Sequence, residues 1–335
     1  MPAPQQQQQL RPIAPNARAG QGLTPQSAQG QALHNMGALR AERHETTEGG
    51  RTVFREPDRT IIRDNGRTFI RHSDTARFAY GAQDVRSERR GVTNVTTVVL
   101  PTGDRVINIV DDNGFLIRRS RILPNGREII LIDNRPRGAD WSPANFFLDL
   151  AEPRIRIPRE RYIVDYGQYY NDPRYLYDTL EAPPVDTIER PYTLDEVRYN
   201  APLRDLMPRV DLNTVNFETG SWELTDDQIE RLGPIAESMN QVISRNPRAV
   251  FLIEGHTDAV GNDVDNLSLS DRRAESVAIA LSQQFGVPAE NLTTQGYGEQ
   301  YLKVPTQGPE PENRRVTVRN ITPLLTGQAG GPPPR

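Results

Sequence analysis

The chain has 335 residues, of which 36 % are hydrophobic, with 28 prolines, 25 glycines and no cysteine. The missing cysteine excludes disulfides, Cys-ligated zinc, a cysteine nucleophile and a lipid-modified N-terminal cysteine in the chain as written. The net charge of −4, with 40 basic residues spread along the chain and Lys303 the sole lysine, gives no basic patch for nucleic acid.

The mean hydropathy of −0.65 is low for a wholly packed chain. No stretch approaches 18 apolar residues, so no membrane-spanning helix is expected. The opening "MPAPQQQQQLRP" lacks the apolar core of a signal peptide, so an export signal is not visible in this stretch.

Residues 1–44 are rich in Gln, Ala, Pro and Gly and read as a disordered arm. From residue 45 to 136, short β-branched runs alternate with turn signals such as Asn65-Gly66, Asn113-Gly114 and Asn125-Gly126. Such pairs accept the positive φ of tight hairpins, which predicts an antiparallel β-meander. The meander carries no catalytic constellation and reads as a spacer or interaction surface.

Residues 137–205 mix aromatic and proline-rich segments into a connector with short helices, one of them capped by Thr193 and Glu196. The tyrosines there are expected to pack rather than to stack on a ligand.

Residues 206–323 carry a stronger pattern. "VDLNTVNF" (210–217) alternates like a strand, and Thr225 with Gln228 makes a capping box. Apolar residues at helical spacing follow to about Arg245, with a kink expected at Gly233-Pro234. "AVFLIEG" (249–255) reads as a strand buried on both sides. A second helix is predicted over 263–285, with Asn262 as N-cap and Gly286 as stop. Strands over 292–298 and 314–321 complete a β-α-β-α-β-β order. The predicted fold is α+β, with a sheet carrying two helices on one face. Residues 324–335 read as a disordered tail.

The stretch "IEGHTDAVGNDVDNLSLSDRR" (253–273) places Asp258 on a loop past the end of a central strand, the edge where open α/β sheets bind ligands. At 100° per residue, Arg273 lies at the edge of the stripe made by Ser270, Ala274, Val277, Leu281 and Phe285, and Arg272 lies well away from it. Asn266 and Arg273, seven apart, are nearly superimposed. Four readings fit: a catalytic couple with His256 and Thr257 beside it, a metal site from His256 and Asp258, an Asp258–Arg273 salt bridge, or a clamp for the ammonium and carboxylate of an amino acid. Spacing alone leaves the last two open.

The same stretch, with Gly255-His256-Thr257-Asp258, Asn266, Leu269-Ser270, Arg273-Ala274 and Val277, then "GYGE" (296–299) and "NRRV" (313–316), resembles the OmpA-like peptidoglycan-binding domain family. The resemblance covers residues 206–323 and departs from the family at Glu218–Gly220, Leu302 and Pro309-Glu310.

It implies a non-catalytic periplasmic or outer-membrane protein that tethers the outer envelope to the cell wall. The ligand would be the diaminopimelate of the peptidoglycan stem peptide, with no cofactor and no metal. The implied grip is Asp258 on the amine and Arg273 on the carboxylate, with Asn266 and Thr257 lining the pocket. Residues 1–136 would reach another envelope protein. The rivals are a peptidoglycan-targeted hydrolase, for which His72 is the one clear histidine of the meander, and the anchor of a larger envelope machine.

Overall fold

In the computed structural model, residues 36–112, 114–135 and 146–327 are described. The Arg-, Thr- and Ile-rich segment after Arg43 folds into a four-stranded antiparallel sheet of β1 (His44–Glu48), β2 (Arg51–Arg55), β3 (Arg59–Asp64) and β4 (Arg67–His72). Asn65 and Gly66 both take positive φ (50° and 75°) in the β3–β4 turn, as a two-residue hairpin requires. A second antiparallel sheet follows: β5 (Asp84–Arg90), β6 (Thr93–Val99), β7 (Arg105–Asp111), β8 (Leu116–Ile122) and β9 (Glu128–Asp133).

One meander was expected over 45–136, and two sheets form. The break is at α2 (Thr75–Ala79), where Asp74 and Arg77 turn inward to buried ion pairs instead of continuing a strand.

The boundary of the expected arm also moves. Residues 36–42 form α1 (Met36–Glu42), because Met36 and Leu39 bury against Trp222 and Leu269. The rest of the arm lies outside the described residues, as do residues 136–145 of the connector and 328–335 of the tail.

The connector contributes short helices α3 (Arg159–Tyr162), α4 (Tyr166–Tyr169), α5 (Pro173–Leu180), α6 (Leu194–Tyr199) and α7 (Ala201–Arg204). Thr193 and Glu196 make the expected capping box on α6. It also contributes β10 (Ile163–Asp165), which joins the C-terminal sheet beside β11 (Arg209–Asp211). β11 is much shorter than the strand expected over 210–217. Asn213 diverts the chain by bonding the Asp165 carboxylate (2.5 Å) and the Gly167 N–H (2.9 Å).

Beyond it come α8 (Asp226–Glu230), α9 (Gly233–Arg245), β12 (Phe251–Gly255), α10 (Asp263–Phe285), β13 (Leu292–Gly296), β14 (Val316–Asn320) and α11 (Thr322–Thr326). The Thr225–Gln228 box caps α8 as expected, but in place of one helix kinked at Gly233-Pro234 the chain ends α8 at Glu230 and starts α9 at Gly233, with Pro234 in its first turn. Asn262 caps α10 by accepting from Val264 and Asp265, and Gly286 stops it in the left-handed region at φ 67°. α11 takes up the start of the expected tail because Leu324 is fully buried.

The C-terminal sheet has the order β10-β11-β14-β12-β13, with β12 parallel to β13 and antiparallel to β14. Alternation along β12 builds two cores. Phe251 and Ile253 meet Ile235, Met239, Val277 and Leu281 of α9 and α10. Val250 and Leu252 meet Leu194, Val197 and Leu203 of the connector, together with Ile129 and Leu131 of β9.

α10 lies so close to the sheet that a Cβ on Gly255 would strike the Ser270 carbonyl, and one on Gly296 would strike the Asp271 backbone. Its outer face is covered too. Phe54, Ile61 and Ile70 of the first sheet pack on Val264 and Leu267. Every residue from Val264 to Leu281 is therefore buried.

Candidate ligand-binding site

β12 ends at Gly255, and the loop that follows is pinned before it reaches Asp258. The His256 N–H donates to Arg315 O and the Thr257 N–H to Gly298 O, both at 2.9 Å. The Asp258 carboxylate then accepts from the Val260 N–H on one oxygen (3.3 Å). Its other oxygen takes the Glu310 N–H (3.3 Å) and Arg314 Nη1 (2.7 Å). Asn266, in the first turns of α10, holds the same loop from behind through the Asp258 and Val260 carbonyls (3.4 and 3.2 Å), and it bonds Glu299 at 2.6 Å. Thr257 is buried, and its hydroxyl has no partner among the described residues.

Arg273 comes from the same helix two turns on, and it does not pair with Asp258. Its Nε donates to Ser221 O (3.0 Å), its Nη2 donates to Glu218 O (3.1 Å), and the guanidinium sits 5.0 Å from the Phe217 ring centre. Among the described residues no carboxylate forms an ion pair with it, and its Nη1 donates to none of them. Burial and the nearby Arg314 charge pull its pKa down to about 10 against the opposing pull of Asp258, so it stays a cation at neutral pH.

Two opposite charges therefore stand at the loop–helix edge, each held by backbone groups, with the acid occupied by Arg314. The direct salt bridge weighed from spacing is not formed. Arg314, within the "NRRV" segment, and the carbonyls of Glu218 and Ser221 also belong to the site, and no local pattern in the sequence singles them out.

His256, beside the loop, stacks on Tyr297 at 5.6 Å. Burial and the Arg315 charge push its pKa down to about 3, so it is neutral and a poor base at physiological pH.

A denser cluster of charge lies on the other face of α10. Asp271 accepts from Arg59 Nε (2.8 Å), His72 Nδ1 (2.9 Å) and the Gly296 N–H (2.8 Å). Arg272 pairs with Glu56 (3.0 Å) and Asp58 (2.6 Å), and Glu275 pairs with Arg77 (2.5 Å). His72, Asp74 and Glu275 bring three potential metal ligands within 4.8 Å of one another. Their carboxylates are already held by Arg77 and Arg119. The cluster is an ionic seam between the first sheet and α10. Arg272, expected to point away from the core, is 2 % exposed because that sheet covers it.

A separate cavity of about 290 Å³ opens between β4, the connector and the end of β13, lined by Arg67, Phe147, Arg198, Tyr199, Tyr297 and Gln300 among others. None of Asp258, Arg273, Asn266 and Thr257 lines it.

Residues 216–316 match the OmpA family. The chain is 36 % identical over 108 residues to the outer-membrane lipoprotein YfiB of Pseudomonas aeruginosa, covering 30 % of this chain and 64 % of that protein. It is 35 % identical over 88 residues to the peptidoglycan-associated lipoprotein of Haemophilus influenzae, covering 26 % of this chain and 54 % of that one. The chain thus spans less than two thirds of either relative. Among solved structures, the peptidoglycan-associated lipoprotein from Burkholderia pseudomallei aligns at 28 % identity and TM-score 0.28, over 31 % of this chain and 86 % of that one.

Proposed function

With residues 216–316 as an OmpA-family domain, we propose that the protein is a non-catalytic anchor that binds peptidoglycan and ties the cell envelope to the wall. The ligand is the diaminopimelate of the stem peptide. The carrying observation is the separated pair of charges: Asp258 and Arg273 sit at one edge of the sheet, held by backbone groups and not by each other.

In this reading the ligand ammonium displaces Arg314 from Asp258, which exchanges one charge-assisted contact for another. The ligand carboxylate takes the Nη1 of Arg273, the guanidinium nitrogen that donates to no described residue. The capped N-terminus of α10 adds positive potential beside the loop. Thr257 offers its buried hydroxyl, and Asn266 sets the loop that presents Asp258.

An envelope location is supported by the relatives, an outer-membrane lipoprotein and a peptidoglycan-associated lipoprotein. No helix among the described residues is long and apolar enough to cross a membrane. A hydrolase reading would rest on His72, and that ring is tied to Asp271 and Thr294 inside the ionic seam. The exposed strands β1 and β5 leave surface for another envelope component.

The test is sedimentation with purified sacculi, comparing the native chain with Asp258→Asn and Arg273→Lys and competing with free diaminopimelate. Each substitution is expected to cost roughly 2–5 kcal/mol of binding, enough to lose a micromolar interaction. If both folded variants pellet as the native chain does, the clamp is wrong. Clearing of sacculus turbidity by the native chain would instead favour the hydrolase.

A further inference from the structure

The turn that holds Arg273 is itself held from behind. The Met36 N–H donates to Gly220 O at 3.0 Å, between the two carbonyls that accept from Arg273. Met36 and Leu39 form a closed apolar cluster with Trp222 and Leu269, and Leu39 and Trp222 are fully buried. Arg272 lies 4.9 Å from the Trp222 ring on its way to Glu56 and Asp58. At the other end of the same short segment, Arg40 and Arg43 each take one oxygen of Asp265, at 2.8 and 2.6 Å, and Arg43 also holds Glu56. Asp265 precedes Asn266, the residue that ties down the Asp258 loop.

One segment of eight residues, 36–43, thus braces both walls of the clamp: the 218–222 turn behind the basic jaw and the first turn of α10 behind the acidic one. It lies outside the family match at 216–316.

We propose that residues 36–43 are a positioning strut for ligand binding, acting through the turn that aims Arg273. This rests on the reading of Asp258 and Arg273 as the ligand clamp. The physical basis is geometric. Arg273 has two of its three nitrogens fixed by carbonyls of the short 218–222 turn, which has few internal bonds: the Ser221 N–H to Glu218 O is one. Its orientation is therefore set by what packs on Trp222 and what bonds Gly220. Loosening the strut lets the carbonyl pair drift, and the guanidinium then presents Nη1 to the ligand in a spread of directions. Met36, Leu39, Arg40 and Arg43 are positioning residues, since they bond and pack on Gly220, Trp222, Asp265 and Glu56 and not on Asp258 or Arg273.

The test uses the full chain with Trp141→Phe, which leaves Trp222 as the one tryptophan. Leu39→Ala removes the apolar contact, and Arg43→Met removes one of the two Asp265 ties and the tie to Glu56 without opening a cavity at Trp222. Each is made in the native and the Arg273→Lys backgrounds. Sacculus affinity, hydrogen exchange at the Ser221 amide and iodide quenching of Trp222 are read together.

The strut predicts roughly three- to thirtyfold weaker binding in the native background, faster Ser221 exchange and greater quenching. In the Arg273→Lys background, Leu39→Ala adds less than about twofold, because the group it positions has gone, whereas Arg43→Met, which acts through Asp265 beside the Asp258 loop, keeps its effect. Equal losses from Leu39→Ala in both backgrounds would show general destabilisation and overturn the proposal. So would faster exchange with undiminished binding. If Arg273→Lys alone leaves binding intact, the clamp reading fails. The strut is then decided by Ser221 exchange, and unchanged exchange in Leu39→Ala and Arg43→Met refutes it as well.

Discussion

Asp271→Asn isolates the seam between the first sheet and α10. The carboxylate is fully buried, with one oxygen shared by Arg59 and His72 and the other accepting from Gly296. Those cations hold its pKa well below the usual carboxylate range, although burial works against the charge. An asparagine of the same size keeps one acceptor, which Gly296 can use. Its NH2 group then faces the N–H groups of Arg59 and His72, donor against donor. Arg59 retains Asp58, whereas His72 loses its closest carboxylate.

Breaking one side of a buried pair costs about 3–5 kcal/mol, because the remaining charge is stranded in a poorly solvated site. With an m-value of roughly 2 kcal/mol/M, the urea midpoint should fall by about 1.5–2.5 M. The assay is urea unfolding followed by tryptophan fluorescence, with hydrogen exchange over β3 and β4 as the local readout. A midpoint shift under about 0.5 M, with those strands still protected, would mean that Asp271 is solvated and that the first sheet does not seal the helix.

The same seam predicts a pH dependence. His72 is raised to about 9: burial opposes its charge, but Asp271, Asp74 and Glu275 outweigh it. A raised histidine pKa contributes stability fully below the unfolded value near 6.5 and loses it as pH rises through 9. Two and a half pH units correspond to about 3 kcal/mol. The urea midpoint should therefore drop between pH 6.5 and 9.5, and in His72→Gln it should be flat. A flat profile in the native chain would refute a charged, buried His72. Gly255→Ala should force α10 away from β12 and cost at least about 1–3 kcal/mol; an unchanged melting temperature would contradict the close approach at Ser270.

Much of the connector's last helices and of the C-terminal domain was legible because their signals are local. Both capping boxes, the Asn262 cap and the Gly286 stop depend on residues within one turn, and all four form. Positive φ at Gly91, Gly103, Gly114 and Gly126 follows from turn chemistry within each hairpin. The β11 boundary was misjudged because Asn213 is captured by Asp165, 48 positions away, which no strand propensity registers.

Arg272 and Arg273 divide the rest. Helical phase separates the two neighbours, because 100° per residue is a property of the backbone alone. The sequence by itself therefore determined that Arg273, and not Arg272, borders the stripe that meets the sheet. It could not determine what each arginine would touch. The carbonyls of Glu218 and Ser221, the pairing of Asp258 with Arg314 and the burial of Arg272 under Glu56 and Asp58 join residues 52 to 216 positions apart. Such contacts exist only once the sheets have docked. A guanidinium in water and one in the seam look identical in sequence, and only the tertiary structure supplies the partner that makes burial of the charge affordable.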